Sequence, residues 1–210
     1  MVKAFVCNNI AENCYVLSSN GEAAIIDCGA YSDRHWEPIK QYIESESLTL
    51  RYVLQTHAHF DHVYGLCFVE RDYGLHPFLH QADEVLYEHT NEATMAILGI
   101  SFPNPLPPIG GYLFDGQKLQ LGDVEIEVIH TPGHTPGGVS LYVEKEGILF
   151  SGDTLFAGSV GRSDFPGGDF DTEISSIRER LLTLPDLTVV YPGHGPQTTI
   201  QHEKSCNPYF

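Results

Sequence analysis

Three imidazoles and a carboxylate fall within six residues of this chain, in the segment Thr56-His57-Ala58-His59-Phe60-Asp61-His62. Crowding those groups is costly unless a cation sits among them, because nothing else offsets their mutual desolvation and repulsion. Three later segments each add one more ligand-type side chain beside a glycine: Gly133-His134, Gly152-Asp153-Thr154 and Gly193-His194-Gly195. Together they offer enough nitrogen and oxygen donors for two divalent ions. A lone loop histidine is ordinarily a solvated surface group. His35, His76, His80, His89, His130 and His202, which lack this company, are read that way.

His57 and His59 are two residues apart, so in an extended turn they point the same way and can share an ion. Asp61 and His62 stand where a helix should begin and can reach a neighbouring ion, and the two oxygens of Asp153 can bridge both. The expected assignment is one metal on His57, His59, His134 and Asp153, and a second on Asp61, His62, Asp153 and His194. Zinc suits such a shell, and iron and manganese accept it too. Two ions ~3.5–4 Å apart can clamp a hydroxide between them, formed near neutral pH because a bound metal lowers the pKa of water to about 7. Asp61 and Asp153 are therefore expected to be catalytic as well as ligating. Gly133, Gly152, Gly193 and Gly195 would let the backbone turn tightly and pass close to the ions.

These residues need elements to bring them together. Short apolar runs at Val2 to Cys7, Cys14 to Leu17 and Ala23 to Asp27 read as strands. Ser32 is placed to cap a helix whose Trp36, Ile39, Tyr42 and Ile43 share one face. Arg51 to Gln55 is a strand leading straight into the histidine motif, and a helix over Val63 to Tyr73 is expected right after it. Ala82 to Leu98 reads as one longer helix, and the proline-rich 102–108 segment as a flap or a stiff spacer. Strands follow at Val124 to His130, Val139 to Val143 and Ile148 to Phe150, then a helix over Asp171 to Leu184 and a last strand over Leu187 to Tyr191. Every candidate ligand thus lies just past a strand, where the loops of layered α/β proteins converge on one rim.

The net charge of −17, from 11 basic and 28 acidic residues, repels phosphate backbones and anionic lipid, which argues against nucleic acid and membrane as partners. No apolar run is long enough to span a bilayer. Cys7, Cys14, Cys28, Cys67 and Cys206 are odd in number and form no CxxC pair, a pattern of reduced thiols that fits the cytoplasm, and no secretory signal is visible at Met1-Val2-Lys3. Monomer and homodimer are both open.

The order Thr56–His62, Thr131-Pro132-Gly133-His134-Thr135, Ser151-Gly152-Asp153-Thr154 and Tyr191-Pro192-Gly193-His194-Gly195 resembles the metallo-β-lactamase superfamily across nearly the whole chain. The resemblance implies an α/β fold, a four-layer αββα sandwich with a two-metal centre at one edge, forming a single domain over 1–210. Phe156–Asp169 and the tail from Gly193 to Ile200 look most like the glyoxalase II-like hydrolases, which cleave thioesters such as hydroxyacylglutathione. Full glyoxalase II carries a C-terminal helical domain that helps hold glutathione, whereas the sequence here stops at Phe210, so the likeness supports the reaction type better than the glutathione substrate. Arg162 is the candidate hook for an anionic substrate group, with an ion pair to Asp164 or Asp169 as the alternative use of its guanidinium.

The expected function is metal-dependent hydrolysis of a small thioester. The same loop also resembles that of persulfide dioxygenases, which hold one iron on two histidines and an aspartate; those would be His57, His134 and Asp153 here. Lactonase and β-lactamase activities fit the same residues. An idle metal-binding scaffold is argued against by the complete donor set. The acidic charge and short length speak against an endoribonuclease, and His59 stands where a flavodiiron protein would want an acid.

Overall fold

Apolar residues occupy both faces of the early strands, which is what a sheet buried on two sides requires. The computed structural model describes residues 1–99, 101 and 104–210. Strands β1 (Val2–Cys7), β2 (Glu12–Ser19), β3 (Glu22–Ile26) and β4 (Thr49–Leu54) form a mixed sheet that β5 (Phe78–His80) and β6 (Gly111–Leu113) extend in sequence order. A second sheet has the order β14-β13-β10-β9-β8-β7, built from β7 (Lys118–Leu121), β8 (Val124–His130), β9 (Val139–Val143), β10 (Ile148–Gly152), β13 (Val189–Pro192) and β14 (Thr198–Thr199). A hairpin of β11 (Leu155–Phe156) and β12 (Ser159–Val160) stands apart.

The two-residue period of a strand sorts side chains into layers. In β2 and β3, Cys14, Val16, Ala23 and Ile25 face an outer core shared with Trp36, Ile39 and Ile43 of α1 (Asp33–Ser45) and with Leu66 and Val69 of α3 (Leu66–Tyr73). Their neighbours Tyr15, Leu17, Ala24 and Ile26 face the other way, onto Ile126, Val128, Leu141 and Phe150 of the second sheet. On that sheet's far side Tyr142, Leu149 and Val190 meet Ile177, Leu181 and Ile200, beneath the segment after α6 (Phe170–Ser176) and the start of α7 (Ile200–Cys206). Helix, sheet, sheet, helix is the expected four-layer sandwich.

Several local expectations are corrected. The helix expected from Val63 begins earlier and breaks: α2 (Phe60–Val63) already contains Asp61 and His62, and α3 starts after Gly65. Gly65 sits so close to the backbone of Cys28 that a β-carbon there would fall 2.5 Å from Cys28 Sγ, and its amide donates to Cys28 O at 2.6 Å; this contact turns the chain. The helix expected over Ala82–Leu98 is divided at His89 (φ −99°, ψ 11°) into α4 (Glu84–Glu88) and α5 (Thr90–Leu98). The one expected over Asp171–Leu184 widens into a π-helical turn at Ile177–Leu181. The three-residue strands β5 and β6 lack enough periodicity to be seen in sequence, whereas β7, with Leu119 and Leu121 buried between exposed Lys118 and Gln120, alternates clearly and was missed. Of the proline-rich segment, Phe102 and Pro103 lie outside the described residues; Leu106 packs against the outer core. Among the described residues no helix is long and apolar enough to cross a membrane, and all five cysteines are free thiols.

Candidate metal centre

Four strand ends deliver the predicted donors to one edge of the sandwich. The chain leaves β4 through Gln55 and Thr56, presents His57 and, in extended backbone, His59, and enters α2 with Asp61 in its first turn. In the second sheet β8, β10 and β13 run the same way, so the loops carrying His134, Asp153 and His194 emerge together. The structure brings all seven predicted side chains into one cluster. The donor atoms of His57, His59 and His134 lie within 4.8 Å of one another, as do those of Asp61, His62 and His194. Asp153 lies between the two groups, with Oδ1 3.4 Å from His62 Nε2 and Oδ2 3.6 Å from His194 Nε2 and 3.7 Å from His134 Nε2. His130 stays outside, stacked on His80 with ring centroids 4.1 Å apart.

A common orientation runs through four of the five histidines, while His59 turns its Nδ1 to His134 Nε2 at 2.8 Å. The Nδ1 atoms of His62, His134 and His194 contact Asp27 Oδ2 (3.0 Å), the Arg162 carbonyl (2.6 Å) and the Ile10 carbonyl (3.2 Å). Since those oxygens only accept, each Nδ1 donates and each Nε2 is the nitrogen turned toward the cluster. His57 Nδ1 lies 3.1 Å from Thr56 Oγ1, whose own proton goes to Asp27 Oδ2 at 2.6 Å, and this sets the same tautomer.

Burial and neighbouring charge set the protonation states. Burial holds His57 well below its ordinary range, and the adjacent histidines push it further. His59 falls to about 3 for the same reasons, burial first and then His134. His62 is also wholly buried, which opposes its charge, but Asp153, Asp61 and Asp27 outweigh burial and raise it well above its ordinary value. Burial likewise opposes His194, and its hydrogen bond to Asp61 raises it. Asp61 and Asp153 are pulled down despite burial, chiefly by His62.

The residues present fit divalent cations. His57 Nε2, His62 Nε2 and Asp153 Oδ1 are buried without a hydrogen-bond partner of good geometry, a cost that a cation taking the place of the His62 proton would relieve. Gly193 permits the close approach: a β-carbon there would overlap Asp153 Oδ1 and come within 2.7 Å of His62 Cε1.

Two aspartates essential to this arrangement were missed by sequence reasoning. Asp27, at φ +50° just past β3, binds the Thr56 amide at 2.7 Å as well as Thr56 Oγ1 and His62 Nδ1. Asp83 binds the Ala58 amide (3.0 Å), Thr135 Oγ1 (2.9 Å) and the Gly137 amide (2.6 Å), tying the first histidine loop to the His134 loop. The signal for Asp27 was available, since it too is an acid beside a glycine-containing strand end; Asp83 had none.

The cluster opens into a cleft of ≈ 480 Å³ whose wall includes Ile10, Phe60, Phe156, Val160, Arg162 and Phe165. Arg162 does not reach into it unaccompanied. Its guanidinium makes two hydrogen bonds to Asp164, at 2.8 and 2.9 Å, and lies 4.1 Å from the centroid of the Phe165 ring. Asp169, the other acid considered, instead caps α6 through the Thr172 amide.

Comparison with known proteins gives the same picture. A family model of the metallo-beta-lactamase superfamily matches residues 8–194. The hydroxyacylglutathione hydrolase GloC of Haemophilus influenzae is 36% identical over 201 residues, covering 95% of this chain and 92% of that protein. Among solved structures, BLEG-1, described as a B3 metallo-beta-lactamase, superposes with TM-score 0.91 at 36% identity, covering 100% of this chain and 99% of its own. TTHA1623, solved in a di-iron-bound form, superposes with TM-score 0.87 at 36% identity over 99% of this chain and 100% of its own.

Proposed function

This chain belongs to the metallo-β-lactamase superfamily, whose members include metallo-hydrolases, and we propose that it hydrolyses a small thioester at a two-metal centre. The observation that carries the reading is the shared orientation of four histidines: oxygens hold Nδ1 of His57, His62, His134 and His194, turning the Nε2 of each toward the cluster that Asp61 and Asp153 complete. One ion would be held by His57, His59, His134 and Asp153, the other by Asp61, His62, Asp153 and His194. The kinship with a hydroxyacylglutathione hydrolase supports thioester cleavage, and a di-iron relative keeps iron beside zinc as a candidate metal.

Divalent cations bound there would supply Lewis acidity toward an acyl oxygen and ionise a water near neutral pH. The chain's own residues do the rest. His57 and His59 are neutral, and so are ready as donors, because burial and their neighbours suppress their charge. Asp27 and the carbonyls of Arg162 and Ile10 fix ring orientation, the outer support that metal-binding histidines need. Asp61, kept ionised by His62 and lining the cleft, is the carboxylate available to accept a hydrogen bond from the attacking water. In the net reaction water adds to the acyl carbon, the C–S bond breaks with its electron pair on sulfur, and a carboxylic acid and a thiol leave. No cysteine takes part.

The test is elemental analysis of the purified protein paired with a panel of thioesters and glutathione persulfide. Two ions per chain with thioester turnover is the expected result. A single iron, with oxygen consumed on the persulfide, would overturn it.

A further inference from the structure

The turn joining β1 to β2, Asn8-Asn9-Ile10-Ala11, touches the metal centre at both of its ends. At one end the Ile10 carbonyl accepts from His194 Nδ1 at 3.2 Å. At the other, Asn8 Nδ2 donates to the carbonyl of Asp61 at 3.0 Å and to that of Gly29 at 3.1 Å. The short helix α2 leaves the Asp61 carbonyl open, because Gly65, four residues on, gives its amide to Cys28 instead. The two ends act as one, since Asn8 Oδ1 also accepts from the Ile10 amide at 3.1 Å. Asn8 and Ala11 stand in the left-handed region, at φ +50° and +60°, a conformation that persists only where surrounding contacts fix it. Asn13 fastens the backbone of the His194 loop separately, through its amide to the Gly193 carbonyl at 2.7 Å and its side chain to the Pro192 and Gly195 carbonyls, each at 3.0 Å. What the turn adds is the orientation of the His194 ring.

We infer that Asn8 is a positioning residue for one of the two metal sites, the one formed by Asp61, His62 and His194; this rests on the two-metal reading above and not on the substrate. Through one side chain, the turn sets the backbone of Asp61 and the ring of His194 together. The histidines of the other site have different supports. Thr56 Oγ1 holds His57, the Asp83 carboxylate holds the Ala58 amide between His57 and His59, and the Arg162 carbonyl holds His134. Loss of Asn8 therefore acts on one ion and spares the other. Outer supports of metal ligands are worth about 10–100-fold in affinity, and Asn8, which works through backbone atoms, belongs at the low end of that range.

The experiment compares the wild type with Asn8→Gly, which tolerates the left-handed φ and removes every tie the side chain makes. Zinc affinities are measured by competition with a chromophoric chelator, and His194→Ala, which deletes a donor, marks which of the two ions belongs to this site. Asn8→Gly should weaken that ion about tenfold and leave the other within about twofold. Unchanged affinities, or a parallel loss of both ions, overturns the inference. Asn8→Asp keeps the acceptor for the Ile10 amide but sets a carboxylate oxygen against the carbonyls of Gly29 and Asp61. It should weaken the same ion at least as much, and wild-type affinity in this variant also overturns the inference. Should the wild type take up a single ion, the two-metal reading fails and the metal-free protein decides. At a pH where the ring is neutral, long-range proton–nitrogen spectra should show His194 with its proton on Nδ1 in the wild type and in mixed tautomers in Asn8→Gly. The same tautomer in both proteins overturns the inference.

Discussion

Glu173 offers a prediction that needs no substrate. It lies on α6 fully buried, against Gly133 and Gly161 beneath the His134 loop. Neither carboxyl oxygen has a hydrogen-bond partner of good geometry, although the nearby His134 amide offsets part of the burial. Burial first, and the charge of Asp153 after it, push its pKa from 4.5 up to about 9. The folded protein therefore holds a proton that the unfolded chain releases. Whatever stability this protonated acid allows is fully present below pH 4.5 and is lost progressively as pH rises toward about 9. At about 1.4 kcal/mol per pH unit, the cost at pH 7 is about 3 kcal/mol. Glu173→Gln keeps the shape and cannot ionise. Urea unfolding of wild type and variant, both stripped of metal by a chelator so that no cation perturbs Asp153, should show the variant gaining on the wild type by about 1.4 kcal/mol per unit between pH 5 and pH 8. With a slope of roughly 2–3 kcal/mol per molar urea, that is a relative midpoint shift of roughly 1 M or more across the range. A fixed offset from the amide would not change with pH. A difference between the two proteins that stays flat from pH 5 to pH 8 would refute the reasoning.

Three further outcomes are expected. Asp27→Asn removes the charge that accepts from Thr56 and His62, and should weaken metal affinity about 10–100-fold in competition with a chromophoric chelator. Because His62 is raised well above its ordinary value by Asp153, Asp61 and Asp27 in the metal-free protein, loading zinc at pH 7 should release protons, seen as dye protonation in weakly buffered solution. Gly193→Ala places a methyl against Asp153 and His62 and should abolish turnover while far-ultraviolet circular dichroism stays near wild type.

The layered fold was legible wherever one period dominated. The alternation in β8, with Val124, Ile126 and Val128 buried and Glu125 exposed, and the Trp36–Ile39–Ile43 face of α1 both follow from burial on one side. Legibility failed where tertiary contact overrode local preference. Nothing local to Tyr64-Gly65 marks the end of α2; the reason lies across the fold, in the backbone of Cys28. Strand β5, three residues long, is a strand only because its backbone pairs with β4 and β6. A segment that short has no pattern of its own to read.

The donors of the site were easier to find than the groups that make them donors. Histidine and aspartate beside glycine at strand ends is a pattern of residue types, and types are what a sequence displays. Which nitrogen of His62, His134 and His194 faces inward is decided by oxygens drawn from positions 10, 27 and 162, two of them backbone carbonyls whose residue identity carries no signal at all. Arg162 illustrates the difference. Its side chain suggested a substrate anchor, yet the fold turns that guanidinium toward Asp164 and employs the carbonyl of the same residue to orient His134. A side chain that reads as recognition thus shapes the mouth of the cleft, while an anonymous backbone atom sets the tautomer on which metal binding depends. Replacing Arg162 should therefore alter selectivity far more than metal affinity, because the carbonyl survives any substitution that preserves the loop.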